Sequence, residues 1–193
     1  LIAFGILFII IMSYIAEKYK RSDYLIFSLG AAFFFFMFLL TEKINWANFL
    51  PIPFAAYLYQ GTGSYFPLFP WAGYVISGAL LGSYLAKNPL SFSTKQFSYK
   101  LFLFGVISLV VCYSIHSFED SLYGEKTFWT DNTALIFYRL GIILMLNSLM
   151  SFISLRIKRI PDIISKIGKN TLLLYALHVI ILYGSAWIPG FGM

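Results

Sequence analysis

The feature that most constrains the fold is a set of long apolar stretches that carry no charge. Residues 24–40, for example, include "AAFFFFMFLL" and have no charged side chain. Such a stretch is long enough to cross most of the roughly 30 Å of membrane hydrocarbon as a helix, which satisfies its backbone hydrogen bonds internally. A membrane barrel would instead need strands that alternate apolar and polar residues. The sequence therefore predicts an all-α, polytopic membrane helix bundle.

Six apolar segments are predicted to form transmembrane helices. They cover residues 1–16, 24–40, 66–86, 101–115, 134–153 and 171–187. The composition agrees, with 60% hydrophobic and 11% charged residues, far from the average of soluble domains. The first segment is short and begins with leucine instead of methionine. We therefore expect residues 1–193 to be one transmembrane domain that is the later part of a larger bundle.

The connections between these segments alternate in positive charge. Most lysines and arginines lie in connections 17–23, 87–100 and 154–170, whereas the two intervening connections hold only Lys43 and Lys126. Short loops rich in Lys and Arg stay in the cytoplasm, so these three connections are predicted to be cytoplasmic, in an integral protein of the bacterial inner membrane. This topology accounts for the net charge of +6, and nucleic acid is not an expected partner.

The third segment begins with the motif "SYFPLFPWAGYVISGALLG". Proline disfavours a helical conformation in the residue before it, so the helix is predicted to start at or just after Pro70. Trp71 then lies at the membrane interface, and Tyr74 follows one turn later. Gly78 and Gly82 form a small-xxx-small pair that predicts close packing of a neighbouring helix or ligand. Trp71 and Tyr74 are candidate substrate contacts on one wall of a cavity.

Two spans contain polar residues that are costly in hydrocarbon unless they face protein or water. Arg139 is the only charge inside the core of a segment, and Asn147 follows on nearly the same helical face. Arg139 either reaches to the outer interface or faces an internal polar cavity and pairs with an anion. The sixth segment presents a polar stripe, formed by Thr171, Tyr175, His178 and Ser185. His178 suits a general base, although a histidine satisfied by a neighbouring hydroxyl remains the alternative.

The two connections predicted to be outside the cell differ in composition. Residues 41–65 are rich in aromatics and poor in charge, which predicts an ordered lid packed against the bundle. Residues 117–133 include Glu119 and Asp120 and are interpreted as a solvated acidic loop or, alternatively, as a polar acceptor site. His116, next to this loop, is interpreted as a solvated residue of the interface.

Three motifs in this order resemble the heparan-alpha-glucosaminide N-acetyltransferase-like family of transmembrane acyltransferases. They are the third-segment motif above, "FYRLGIILML" and "IGKNTLLLYALHVIILYG". The similarity covers nearly the whole chain and corresponds to the later half of the family. It implies an enzyme that transfers an acetyl or other acyl group from cytosolic acyl-CoA to an amine or hydroxyl of a sugar or glycan acceptor across the membrane. The family segment with the principal catalytic histidine has no counterpart in the chain.

Acyl transfer needs a base for the acceptor and a cation or donor for the oxyanion. His178 and Arg139 are the intramembrane candidates for these catalytic roles. The candidate substrate-binding residues are Trp71, Tyr74, Asn147, Tyr175 and Asn170. The candidate residues for the phosphates of acyl-CoA are Arg156, Lys158, Arg159 and Lys169, whose charge is explained equally well by topology. The sequence has no cluster of metal ligands, so no metal is expected.

Two other classes of protein remain open at this point. A transporter or flippase for a sugar- or polyprenyl-linked substrate would also need a polar intramembrane cavity, but it would usually have internal repeats or broken helices. A non-catalytic membrane scaffold would need no polar stripe. The lipid bilayer is the expected partner of an acyltransferase, a transporter and a scaffold alike. Whether the chain forms a homo-oligomer is left open.

Overall fold

The chain forms two compact units, Leu1–Ile153 and Ser154–Met193. The computed structural model describes residues 2–41, 44–58, 60–62, 67–123, 133–157, 162–171, 173, 177, 180–181, 184–185 and 188–189.

The first unit is built from helices. They are α1 (Ile2–Lys18), α2 (Asp23–Thr41), α3 (Ile52–Ala55), α4 (Leu68–Lys87), α5 (Lys95–Tyr123) and α6 (Ala134–Ser154), with 3-10 turns at Trp46–Asn48, Gln60–Thr62 and Ser91–Ser93. Helices α2, α4, α5 and α6 are long and apolar enough to cross a membrane, whereas α1 is apolar but has 17 residues. The prediction of an all-α membrane helix bundle is confirmed.

Helices α1, α2 and α4 pack around one buried cluster. Its fully buried members are Phe27, Ala31 and Phe34 of α2 with Ala72 and Ile76 of α4. Small residues let these helices approach, because apolar packing in lipid depends on close van der Waals contact. Helices α2 and α4 are also joined where α2 begins and α4 ends, since Lys87 Nζ lies 2.6 Å from the Asp23 carboxylate.

The turn between α1 and α2 is closed by a Schellman motif. The Arg21 N–H donates to the Ala16 carbonyl at 2.9 Å, and the Lys20 N–H donates to the Glu17 carbonyl at 3.1 Å. This pattern requires a left-handed residue after the helix. Lys20 occupies that position with φ of 50°, a conformation that is costly for a residue with a Cβ.

Helices α5 and α6 form an antiparallel pair whose backbones come into contact at two glycines. A Cβ atom added to Gly141 would lie 3.1 Å from the Gly105 carbonyl oxygen and 2.8 Å from Leu109 Cδ2. One added to Gly105 would lie 2.7 Å from Met145 Cγ. Neither glycine was singled out by the sequence. The two backbones therefore touch at a point where no larger residue fits without movement.

Buried serines join the same pair away from the glycines. The Ser98 and Ser151 hydroxyls lie 2.6 Å apart and share one hydrogen bond. Ser98 also lies within donating distance of the Thr94 carbonyl, and Ser151 within donating distance of the Phe92 carbonyl. Ser148 donates to the Ser98 carbonyl at 2.8 Å. Nearer the other end of the pair, Ser108 donates to the Phe137 carbonyl at 2.7 Å. The polar groups of this interface are thus satisfied between the helices.

The structure tests two predictions made for the third span. Phe69 is extended, with φ of −98° and ψ of 128°, so the regular helix begins at Pro70 as predicted. The predicted packing on Gly78 and Gly82 is wrong within the described part of the chain, since no atom lies within 4 Å of a Cβ built at either position. These glycines face away from α2, which packs on the side of α4 that bears Ile76.

The described part of the 41–65 connection is folded but only partly packed. Tyr57 meets Phe4 of α1 edge-on, with ring centroids 5.6 Å apart, and Ala55 is buried. Phe49 and Phe54 are exposed, so the prediction that the aromatics of this loop pack inward is wrong for these two.

The second unit contains helix α7 (Asp162–Lys169) and an antiparallel pair, β1 (Gly184–Ser185) with β2 (Ile188–Pro189). The predicted sixth span is helical at its described residues 171, 173, 177, 180 and 181. Its predicted end at residue 187 is wrong, because residues 184 and 185 form strand β1. Ser185 therefore does not belong to a helical polar stripe. Glycine at position 184 weakens a helix, and Pro189 cannot donate a backbone hydrogen bond to continue one. Tyr175 and His178 lie outside the described residues.

Candidate functional site

The candidate site is assembled where α4 begins. Trp71 and Tyr74 lie in the first turn after Pro70, and their ring centroids are 5.7 Å apart in an edge-on arrangement. Phe35 of α2 contacts the other side of Tyr74, with centroids 5.3 Å apart. A Cβ at Gly73 would meet the Phe35 ring at 2.6 Å. Since only glycine leaves room for that ring, Phe35 of α2 can pack closely against Tyr74.

Arg139 reaches this aromatic pair from the first turns of α6. Its guanidinium carbon lies 5.0 Å from the centroid of the Trp71 ring, a cation–π distance. The guanidinium also interacts electrostatically with the Tyr74 hydroxyl. The third and fifth predicted spans therefore meet at this point. We refer to Trp71, Tyr74 and Arg139 together as the aromatic–arginine cluster.

The aromatic–arginine cluster contains more hydrogen-bond donors than acceptors. No carboxylate contacts Arg139 among the described residues, whose ion pairs involve Lys87 and His116. The Tyr74 hydroxyl oxygen is buried, and within the described part of the chain it has no hydrogen-bond partner of normal geometry. A guanidinium carries five N–H donors and no acceptor. The cluster is therefore suited to a ligand that supplies an anionic or strongly accepting oxygen.

Asn147, a predicted substrate contact, is not brought into this cluster. Its amide nitrogen donates to the Ile143 carbonyl of its own helix at 2.9 Å. It follows Arg139 by eight residues, or about 12 Å along an α-helix. The sequence placed the two on a similar face, but the distance along the axis separates them.

The predicted cofactor-binding cations belong to the second unit. Arg156 and Lys169 are exposed, and Lys158 and Arg159 lie outside the described residues. Asn170, a predicted substrate contact, is exposed and its amide donates to the Lys166 carbonyl at 2.8 Å, so it caps α7. Of the two predicted catalytic residues, the structure describes Arg139 and not His178.

A histidine–carboxylate pair at the end of α5 was missed by sequence reasoning. His116 Nε2 lies 3.5 Å from Asp120 Oδ2, and the two side chains are 28% and 34% exposed. His116 is thus a partly exposed residue with a carboxylate beside it, and its interpretation as a solvated residue of the interface stays a prediction. The i,i+4 spacing of a base and an acid on one helix was the available signal. In the described part of the chain, no three His, Cys, Asp or Glu side chains converge to hold a metal ion.

The chain was compared with known families, curated proteins and solved structures. The family model described as "Heparan-alpha-glucosaminide N-acetyltransferase, catalytic" matches residues 1–118. Trp71 and Tyr74 lie inside the matched part and Arg139 lies beyond it. No curated protein and no solved structure matches the chain. Because the family match covers more than half of the 193 residues, the chain belongs to the heparan-alpha-glucosaminide N-acetyltransferase catalytic family, whose function is that of a membrane acetyltransferase.

Proposed function

We propose that the chain is part of a membrane-bound acyltransferase that moves an acetyl or other acyl group from cytosolic acyl-CoA to an amine or hydroxyl of a sugar-type acceptor on the outer side. Family membership supplies the class of reaction. The observation that carries the proposal is the aromatic–arginine cluster. A cation held on a tryptophan ring inside a span, with no carboxylate against it in the described residues, suits the charge that develops during acyl transfer.

The topology in this proposal is multi-pass, with 17–23, 87–100 and 154–170 in the cytoplasm of a bacterial inner membrane. Both compact units then belong to one transmembrane domain, residues 1–193. The aromatic–arginine cluster lies towards the outer side, where the acceptor arrives. The donor arrives from the cytoplasm, where the phosphates of acyl-CoA meet the cations of the second unit, namely Arg156, Lys158, Arg159 and Lys169.

The proposed reaction is a single acyl transfer. The acceptor nitrogen or oxygen attacks the carbonyl carbon of the thioester and gives its proton to His178, the general base. The electron pair of the carbonyl moves onto its oxygen, which the Arg139 guanidinium stabilises. The carbonyl then re-forms, the carbon–sulfur bond breaks, and the CoA thiolate leaves and takes the proton from His178.

The remaining candidate residues have unequal support. Trp71 and Tyr74 contact substrate in this proposal because both adjoin Arg139. Tyr175 is one turn from His178 in the sequence and is proposed to accompany it. Asn147 and Asn170 have less support, since each amide donates to a carbonyl of its own helix.

The test is transfer of labelled acetyl from acetyl-CoA in proteoliposomes that contain a glucosamine-terminated acceptor on the opposite side. Replacing Arg139 with Ala should lower transfer about 10²-fold, the usual effect of removing one oxyanion donor. Arg139→Lys keeps the charge but loses the planar group that stacks on Trp71, so an intermediate loss is expected. Lys100→Ala, an exposed cation on α5, is the matched control and should be silent.

Transfer that survives Arg139→Ala unchanged would remove this residue from the mechanism. If the wild type shows no CoA-dependent transfer but moves a sugar-linked lipid across the bilayer, the protein is a transporter and the proposed function is wrong.

A further inference from the structure

The Tyr74 hydroxyl is one of three buried side-chain polar groups in the described part of the chain that lack a hydrogen-bond partner, with Trp46 Nε1 and Glu119 Oε2. It is buried inside a candidate membrane span and makes no hydrogen bond of normal geometry with any described residue. Leaving such a group unsatisfied costs about 1–3 kcal/mol, and native proteins satisfy nearly all of them. A phenylalanine would fill the same space without this cost. The retained hydroxyl therefore calls for a functional reason.

The surroundings of Tyr74 fix the position of its ring. Phe35 packs against one side at 5.3 Å and Trp71 meets another side at 5.7 Å, both between ring centroids. The Phe35 ring also lies directly on the backbone at Gly73. A tyrosine held by two aromatic rings loses little further freedom when a ligand accepts its hydrogen bond, so the hydroxyl is preorganised as a donor.

The Arg139 guanidinium interacts electrostatically with this hydroxyl. A neutral donor on α4 and a cationic donor on α6 thus lie next to each other. Enzymes that transfer acyl groups place two such donors around the carbonyl oxygen that becomes negative in the transition state. In a site shielded from water, each donor stabilises that charge far more strongly than it could in solution.

We propose that the Tyr74 hydroxyl and the Arg139 guanidinium together form the oxyanion site of the acyl transfer. This inference rests on the proposed function. As the acceptor forms its bond to the thioester carbon, the carbonyl electron pair moves to oxygen, and Tyr74 donates a hydrogen bond to that oxygen while keeping its proton. Collapse restores the carbonyl and expels the CoA thiolate. Tyr74 is then a catalytic residue, and Trp71 is a positioning residue that holds Arg139 through its ring.

The deciding variant is Tyr74→Phe, which removes one oxygen atom and leaves the ring contacts in place. We expect kcat to fall about 10²-fold, as for loss of one oxyanion donor, with KM changed by less than about twofold. Thermal stability in detergent should be equal to or above that of the wild type, because the unsatisfied hydroxyl is gone. Tyr113→Phe is the matched control, since Tyr113 is exposed on α5, and it should leave kcat unchanged.

A merely structural tyrosine would give the opposite pattern, with lower stability and activity lost only through unfolding. Unchanged kcat in Tyr74→Phe, or a rise in KM alone, would overturn the role of Tyr74. A double variant, Tyr74→Phe with Arg139→Lys, tests whether the two residues share one site. If its fold-loss in kcat equals the product of the two single fold-losses, the residues act independently and a shared site is overturned. Absence of transfer by the wild type overturns the proposed function itself, and this role with it, so the two failures are distinguishable.

Discussion

The contact between Gly105 and Gly141 gives the sharpest test of the packing of α5 against α6. Replacing Gly141 with Ala adds one methyl group, which would meet a backbone oxygen at 3.1 Å and the Leu109 side chain at 2.8 Å. The side chain can rotate away, but the backbone oxygen moves only if the two helices separate. Separation would in turn lengthen the hydrogen bonds between the buried serines of the same pair.

The expected magnitude follows from two opposing effects. Glycine to alanine in a helix interior favours the helix by about 1 kcal/mol. Inserting a methyl group into a tightly packed interface costs about 1–3 kcal/mol. Gly78→Ala supplies the matched control, since no atom of the described residues lies within 4 Å of the new methyl group. The gain in helix propensity is common to both variants. The difference between their free energies of unfolding therefore isolates the cost of packing the methyl group, about 1–3 kcal/mol.

The assay is thermal unfolding in detergent. Its readout is the amount of protein that remains monodisperse after heating to each temperature. For a chain of this size, about 1–3 kcal/mol corresponds to roughly 2–12 °C between the two variants. We expect Gly78→Ala to melt at or slightly above the wild-type temperature and Gly141→Ala to melt below it. A Gly141→Ala protein as stable as Gly78→Ala would show that the two helices do not touch at this point.

Three further predictions concern single contacts. Ser98→Ala should lower the free energy of unfolding by about 0.6–1.7 kcal/mol, the range for a hydrogen bond between membrane helices. Ser114→Ala is its control, because the Ser114 hydroxyl donates within α5, and it should lower the melting temperature less. Lys20→Gly should raise the melting temperature, because glycine adopts the left-handed position without the cost of about 1–2 kcal/mol that a Cβ imposes; a lower value would contradict the Schellman turn. Trp71→Leu should reduce acetyl transfer by releasing Arg139, and full activity in that variant would show that the cation–π contact is dispensable.

Much of the fold could be predicted because local sequence carries it. The length of the apolar runs determines the helices, and Pro70 determines where α4 begins. Arg139 could be recognised as a residue that needs shelter from lipid, because it is a charge in a span, but its contact with Trp71 was not predicted. What local sequence cannot supply is the identity of partners on different helices.

The glycines illustrate this limit. Gly78 and Gly82 form a visible pair in the sequence but face open space in the described structure. Gly105 and Gly141 make the close contact, yet they lie on separate helices and form no local pattern. The end of the sixth segment was missed for a related reason, because apolar residues continue past Gly184 and conceal the change of conformation.

The ion pair between Lys87 and Asp23 has a consequence for how the membrane segments are oriented during synthesis. Asp23 opens α2 and Lys87 closes α4, and their side chains meet at 2.6 Å, with the ammonium 4.6 Å from the centre of the Tyr24 ring. Helix α2 is synthesised before α4, so the Asp23 carboxylate already lies at one face of the bilayer when α4 is inserted. An inverted α4 would carry Lys87 to the opposite face, about 30 Å away for a helix of 20 residues. Only an α4 inserted in the orientation seen in the structure can therefore form this ion pair.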